Sequence, residues 1–233
     1  MKYFTSIVLI IFTSFIGLSQ TYEVGAILGG ANFIGDVGET TYLSPNTMAF
    51  GILGKWNRSS RHSFRFSVVS AQIKGDDADS HETRRNERGY RFENNITEFS
   101  AGIEYTFWDF SMYEARRVST PYLFTGINYF LYDKAFIMPG IGEYVQYDGG
   151  RSFSIPMVIG YKAMVAPHFV MGVEIGARYT FIDDLDGSNT TSKEDFQNND
   201  FLKFGNLNNN DWYIFTTVFI NFTFGRKPCY CNF

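Results

Sequence analysis

The sequence predicts an all-β fold: a transmembrane, antiparallel up-and-down β-barrel of about eight strands, preceded by a signal peptide. Three observations carry that prediction. Aromatic residues make up 18% of the 233 residues, with 25 Phe and 15 Tyr against 6 Pro, and aromatic side chains suit a pleated surface better than a helix. Apolar and polar residues alternate with period 2 along segments of strand length, and charge keeps to one face. The connections between those segments are unequal, one set short and the other long, as in outer-membrane barrels.

Residues 1 to 20 read as the signal peptide: Lys2 gives a positive start, Ile7 to Ile16 is apolar, and Gly17-Leu18-Ser19 supplies small residues for cleavage. That apolar stretch is short for a bilayer core of roughly 30 Å, and no later run is long enough for a spanning helix. The barrel is expected over residues 21 to 225, with a C-terminal tail at 226 to 233. Its strands are expected at 22 to 32, 47 to 56, 61 to 74, 96 to 108, 120 to 132, 152 to 163, 168 to 181 and 211 to 224.

The alternation is cleanest at 168 to 181, where Phe169, Met171, Val173, Ile175, Ala177, Tyr179 and Phe181 share one face while Glu174 and Arg178 lie on the other. Segments 96 to 108 and 152 to 163 repeat it, with Phe99, Ile103, Tyr105 and Phe153, Ile155, Met157, Ile159 outward. The last strand is apolar on both faces at several positions, and its even-numbered residues from Trp212 to Phe224 are taken as lipid-facing.

Connections at 33 to 46, 75 to 95, 133 to 150 and 182 to 210 are the expected external loops; those at 57 to 60, 109 to 119 and 164 to 167 are the expected periplasmic turns. An even strand count puts both termini in the periplasm, and the protein in the outer membrane of a Gram-negative bacterium. A soluble sandwich or lipocalin-like barrel also alternates. Against it stand aromatic residues at strand ends, Trp56, Trp108, Tyr129, Tyr179 and Trp212, which suit interfacial girdles. The net charge of -4 offers no basic field for nucleic acid.

If the polar faces point inward, the lumen collects Glu23, Lys55, Arg65, Glu98, Glu104, Lys162, Glu174 and Arg178, four acids and four bases. A barrel of this size is filled by side chains, so these charges are expected to pair as a structural plug. The sharper alternative is a gated proton or ion path. His62, His81 and His168 are too scattered for a catalytic or metal cluster, so no enzyme activity, cofactor or small-molecule substrate is expected.

Asp76, Asp77 and Asp79, and likewise Asp183, Asp184 and Asp186, have a spacing that could gather calcium, but they lack the rest of the EF-hand pattern and read better as solvated loops. Cys229 and Cys231 lie too close for an unstrained bridge, which leaves reduced thiols or intermolecular pairing.

Three segments, residues 29 to 38 (Gly29-Gly30-Ala31-Asn32-Phe33-Ile34-Gly35-Asp36-Val37-Gly38), 172 to 186 (Gly172 through Asp186) and Gly225-Arg226-Lys227-Pro228, resemble a PorG-like, DUF6089-type family of Bacteroidetes outer-membrane proteins. The resemblance covers nearly the whole mature chain. It implies a barrel that belongs to the type IX secretion system and joins a periplasmic ring to the outer membrane, with no catalytic residues to carry over. The surfaces for such a contact are expected at the 109 to 117 loop, where Phe110, Met112 and Tyr113 adjoin Arg116 and Arg117, and at the tail with Arg226 and Lys227. The expected partners are outer-membrane lipid and periplasmic ring proteins. A stand-alone barrel acting in adhesion or surface protection through its external loops is the other reading.

Overall fold

The computed structural model describes residues 21–111, 118–138, 140–189, 202–206 and 209–225. The expected signal peptide and C-terminal tail lie outside these residues. Eight antiparallel strands follow one another around a closed ring: β1 (Thr21–Ile34), β2 (Thr47–Asn57), β3 (His62–Asp76), β4 (Arg91–Thr106), β5 (Ser119–Ile137), β6 (Tyr144–Ala166), β7 (Phe169–Thr180) and β8 (Trp212–Gly225). β8 returns to β1 with Thr21 opposite Gly225 and Ile34 opposite Trp212, so the sheet has no open seam there.

Every strand alternates as the period-2 pattern requires. Outward positions are apolar and exposed: Ile52 and Ile127 are each 64% accessible, and Val24, Leu28, Phe66, Ile159 and Val173 are each more than half exposed. Such a continuous apolar outside costs far too much in water, at about 25 cal/mol per Å² of apolar surface, to belong to a soluble domain, and so the outside faces lipid. Rings pair across neighbouring strands near both ends of this belt: Trp56 with Phe64 at 5.3 Å and Tyr22 with Phe224 at 5.9 Å at the end carrying the termini, Tyr129 with Phe153 at 5.3 Å and Tyr179 with Trp212 at 5.0 Å at the other. Among the described residues no helix is long and apolar enough to cross a membrane.

Two of the long connections are shorter than the sequence pattern suggested. Both ends of the 75 to 95 segment are strand, because β3 and β4 stay paired up to Asp76 opposite Arg91. Only a 3₁₀ turn (Asp77–Asp79) and a short helix α1 (Thr83–Arg88) join them. Likewise β5 and β6 remain paired up to Ile137 opposite Tyr144. Above the apolar belt the outward residues of these hairpins, such as Lys74, Arg91 and Glu93, are polar. Water there replaces lipid, so the backbone ladder continues while the apolar half of the alternation disappears.

The interior has two zones. Toward the termini it is ionic and hydrogen-bonded. Toward the long loops it is a packed apolar and aromatic layer that includes Val69, Ile73, Phe92, Ile96, Phe130 and Phe215, all 2% exposed or less. Leu185, from the connection after β7, is fully buried on top of that layer.

Candidate functional site

The lumen is where the chain concentrates charge. Glu23, Lys55, Arg65, Glu98, Glu104, Lys162, Glu174 and Arg178 are each 5% exposed or less. They form two groups. In the first, Glu104 lies 2.7 Å from Lys55 Nζ, 2.7 Å from Lys162 Nζ and 4.0 Å from Arg65. Arg65 in turn makes a two-pronged bond to Glu174, at 2.7 and 2.8 Å, the geometry in which guanidinium and carboxylate match best. Glu174 also accepts from Tyr122 Oη at 2.6 Å and Thr217 Oγ1 at 3.2 Å. Glu23, beside Lys55 in the β1–β2 ladder, accepts from the side-chain amides of Asn57 and Asn221 at 2.8 and 2.7 Å.

The second group lies nearer the loops. Arg178 holds Glu98 at 3.2 and 3.3 Å, donates to the Gly176 carbonyl at 2.6 Å, and stacks over Phe215 at 4.3 Å. Tyr213 Oη donates to Glu98 at 2.7 Å. Strand register explains the grouping. Lys55 is opposite Arg65 on β2 and β3, and repulsion between the two bases is relieved by Glu104 and Glu174 reaching across from β4 and β7.

Residues absent from the sequence-based set complete this network: Tyr122, Tyr213, Asn57, Asn221 and Thr217. Each has lumen parity on its strand, which is the signal that marks them, but hydroxyls and amides carry no charge to single them out. Gly160 is the backbone condition for Tyr122. A Cβ there would lie 2.4 Å from the tyrosine ring, so only glycine on β6 leaves room for the ring to lie across the lumen and reach Glu174.

Phe110 was expected at a partner surface, and the structure turns it inward. It is 6% exposed, with Lys162 Nζ 4.7 Å from its ring centre. Its backbone N–H donates to the Ser60 carbonyl at 3.0 Å, which ties the β4–β5 connection back to the β2–β3 turn. An aromatic face over a buried ammonium covers the ionic zone at the terminus end. Met112, Tyr113, Arg116, Arg117, Arg226 and Lys227 lie outside the described residues, as do Cys229 and Cys231. Nearby, Arg61 and Asp109 form an exposed pair at 2.8 Å.

Three of the six loop aspartates expected to be solvated are a second correction. Asp77 and Asp186 are fully buried and Asp184 is 6% exposed. Asp186 Oδ2 accepts from the backbone N–H groups of Asp36 and Val37 at 3.0 and 3.1 Å, and its Oδ1 from Ser188 at 2.9 Å. Asp184 accepts from Tyr132 Oη at 2.9 and 3.0 Å. Leu185 donates to Asp211 Oδ2 at 2.9 Å, and its carbonyl accepts from Asn94 at 2.8 Å.

Asp77 takes a pair of bonds from Arg88, at 2.8 and 3.0 Å, and one each from the backbones of Gly38 and Tyr90. These carboxylates are spent on orphan backbone donors, and the connections fold into the barrel mouth as a cap. Among the described residues no group of three or more His, Cys, Asp or Glu is placed to hold a metal ion.

With the barrel and its sealed lumen established, the chain can be set beside known proteins. A sequence profile described as a domain of unknown function, DUF6089, matches residues 1–233. The chain belongs to the DUF6089 family. No curated protein matches this DUF6089 chain in sequence. Among solved structures, it is similar to Neisserial surface protein A, at 12% identity over 87% of this chain and 97% of that one, with a TM-score of 0.48.

It is similar also to Ail, the attachment invasion locus protein of Yersinia pestis, solved with the heparin analogue sucrose octasulfate, at 10% identity, 89% and 100% coverage and a TM-score of 0.44. A third is a major outer membrane protein from Thermus thermophilus, at 12% identity, 88% and 100% coverage and a TM-score of 0.43. The fold assignment of the DUF6089 chain rests on its own strand order and exposed belt.

Proposed function

We propose that this protein is a non-enzymatic barrel of the outer membrane, its termini in the periplasm, that acts as a scaffold of type IX secretion by anchoring a periplasmic ring. The observation that supports a scaffold over a channel is the lumen. Four acids and four bases are matched inside it, Phe110 covers one end and Leu185 with its aspartate bonds covers the other. Breaking a buried ion pair strands a charge, so this interior is poorly suited to opening and closing around a solute. Work done by such a barrel is done at its ends.

The type IX assignment draws on the PorG-like segments at 29 to 38 and 172 to 186. With Phe110 committed to the interior, the periplasmic contact is assigned to Met112, Tyr113, Arg116, Arg117, Arg226 and Lys227. Affinity capture of the tagged protein from detergent-solubilised membranes tests this. Periplasmic ring proteins should co-purify, and should be lost on deleting residues 226 to 233 or on Arg116→Glu with Arg117→Glu. A deletion strain that keeps type IX secretion and gliding overturns the role, and in that case loss of surface attachment would favour adhesion through the long loops.

A further inference from the structure

At the loop end, beside the cap and outside the lumen, is a cavity of about 310 Å³ between the β1–β2 connection and the tops of β1 and β3. That volume is at the small end of the roughly 300–1,000 Å³ typical of ligand sites. Apart from Phe33 and Gly75 its lining residues are all polar, unlike the grooves along the lipid-facing belt. From it we propose a binding site for a neutral saccharide, one or two sugar rings in size.

The wall is held open by bonds that leave a specific set of groups free. Asn32 donates both to the Thr41 and the Tyr42 carbonyls, each at 3.2 Å, and Asn46 donates to the Lys74 carbonyl at 3.4 Å, so the loop is tied to both strands. Asp76 is engaged by Arg91 at 2.8 Å and by the Ala78 N–H at 2.9 Å. Glu39 is engaged by Thr41 Oγ1, with His81 Nε2 at 3.7 Å.

The side chains of Ser44, Lys74 and Asp79, which also line the cavity, have no hydrogen-bond or ion-pair partner among the described residues. Asn32 is 2% exposed, and because its amide hydrogens are fixed on two carbonyls and its Oδ1 is closed off from solvent, it holds the wall in place and is not itself a ligand contact.

The free groups are one ammonium donor, one carboxylate acceptor and one hydroxyl that does both. Ligands that complement such a balanced set carry groups that also donate and accept, which is the property of sugar hydroxyls. An anionic ligand would meet Glu39, Asp76 and Asp79, a bare cation would meet Lys74, and an apolar ligand would leave the whole wall unpaired. The site rests on the loop geometry alone and holds whichever side of the membrane the loops face, so it stands or falls separately from the secretion role.

The test uses the full chain in a detergent without a sugar headgroup, lauryldimethylamine oxide, since maltoside and glucoside detergents would compete. Saturation-transfer NMR is run with lactose, maltose and N-acetylglucosamine, and with spermidine and inositol hexakisphosphate as charged controls. The expected result is saturable binding of at least one sugar, weakened at least tenfold by Lys74→Ala with Asp79→Ala, while the heat-modifiable gel shift of the folded barrel is retained. Those two side chains are exposed and hold no structural bond, so the variant folds.

To separate sources, purified lipopolysaccharide is added as competitor. Displacement of the sugar identifies the core sugars of that lipid as an occupant, and its absence identifies free saccharide. No sugar binding, equal binding by the variant, or binding of only spermidine or the polyphosphate overturns the proposal.

Discussion

Glu104 holds three bases in place, Lys55, Lys162 and Arg65, within a space closed to water. Replacing it with Gln removes the charge and strands the two lysines. Breaking such a pair costs about 3–5 kcal/mol, and urea unfolding in detergent micelles should show a loss of that size. Tyr122→Phe removes one bond to a charged acceptor and leaves the shape intact. Its loss should be smaller, about 1.5–3 kcal/mol, and comparable losses for the two variants would mean that Glu104 is not the centre of the network. The eight charged residues were legible in the sequence because parity on a strand fixes the face and charge marks the position. Their tyrosine and amide partners were not, since which hydroxyl reaches which carboxylate depends on strand stagger around the ring, and Tyr122 reaches its partner only where Gly160 is bare.

At the scale of an element, the connection after β7 behaves as part of the core. Asp36 and Val37 meet Asp186 across sequence separations of 150 and 149 residues, so a run of Asp, Gly, Ser and Asn that looks solvated in the sequence is buried by contacts no local pattern encodes. The two hairpins extending beyond the belt were missed for a related reason: outside the lipid, strand pairing continues without apolar alternation. Burial has a consequence for pH. It pushes Asp183 up to about 7 and also raises Asp186 and Asp211, with neighbouring carboxylates adding to the effect.

An acid whose folded value is raised contributes stability that is fully present below its unfolded value, about 4, and that is lost as pH rises through the folded value. The cap should therefore be tightest in acid and loosen as pH passes about 7. Hydrogen exchange over residues 182 to 189, corrected for intrinsic rates, should be faster at pH 8 than at pH 5, and Asp183→Asn should flatten the difference. Gly38 offers a pH-independent control on the same cap. Its φ of +92° is a region side chains avoid, and an added Cβ would lie 2.9 Å from Gly75 Cα. Gly38→Ala should raise exchange in the cap at both pH values.

For the molecule as a whole, the inside and outside are chemically inverted relative to a soluble barrel, and this inversion makes a prediction that neither strand count nor register can. Ile127 is mid-strand on β5, outward and 64% exposed. On a soluble protein a lysine there would be neutral or helpful, since it removes an apolar group from water. In a bilayer it places a charge near the midplane, at a cost of about 2–4 kcal/mol that falls to about 0–1 near the interfaces. Ile127→Lys should therefore destabilise the barrel refolded into lipid vesicles, and the same substitution at Tyr129, closer to the aromatic end of the belt, should cost less.

The gradient between the two positions is the diagnostic quantity, because a simple packing defect would not depend on depth. Equal small effects at both sites would place the outward face in water and remove the membrane from the account of this fold. The exterior was the most legible part of the chain from its residues alone, because lipid acts on each outward side chain one at a time. The cap was the least legible, because it is made of contacts between segments far apart in sequence.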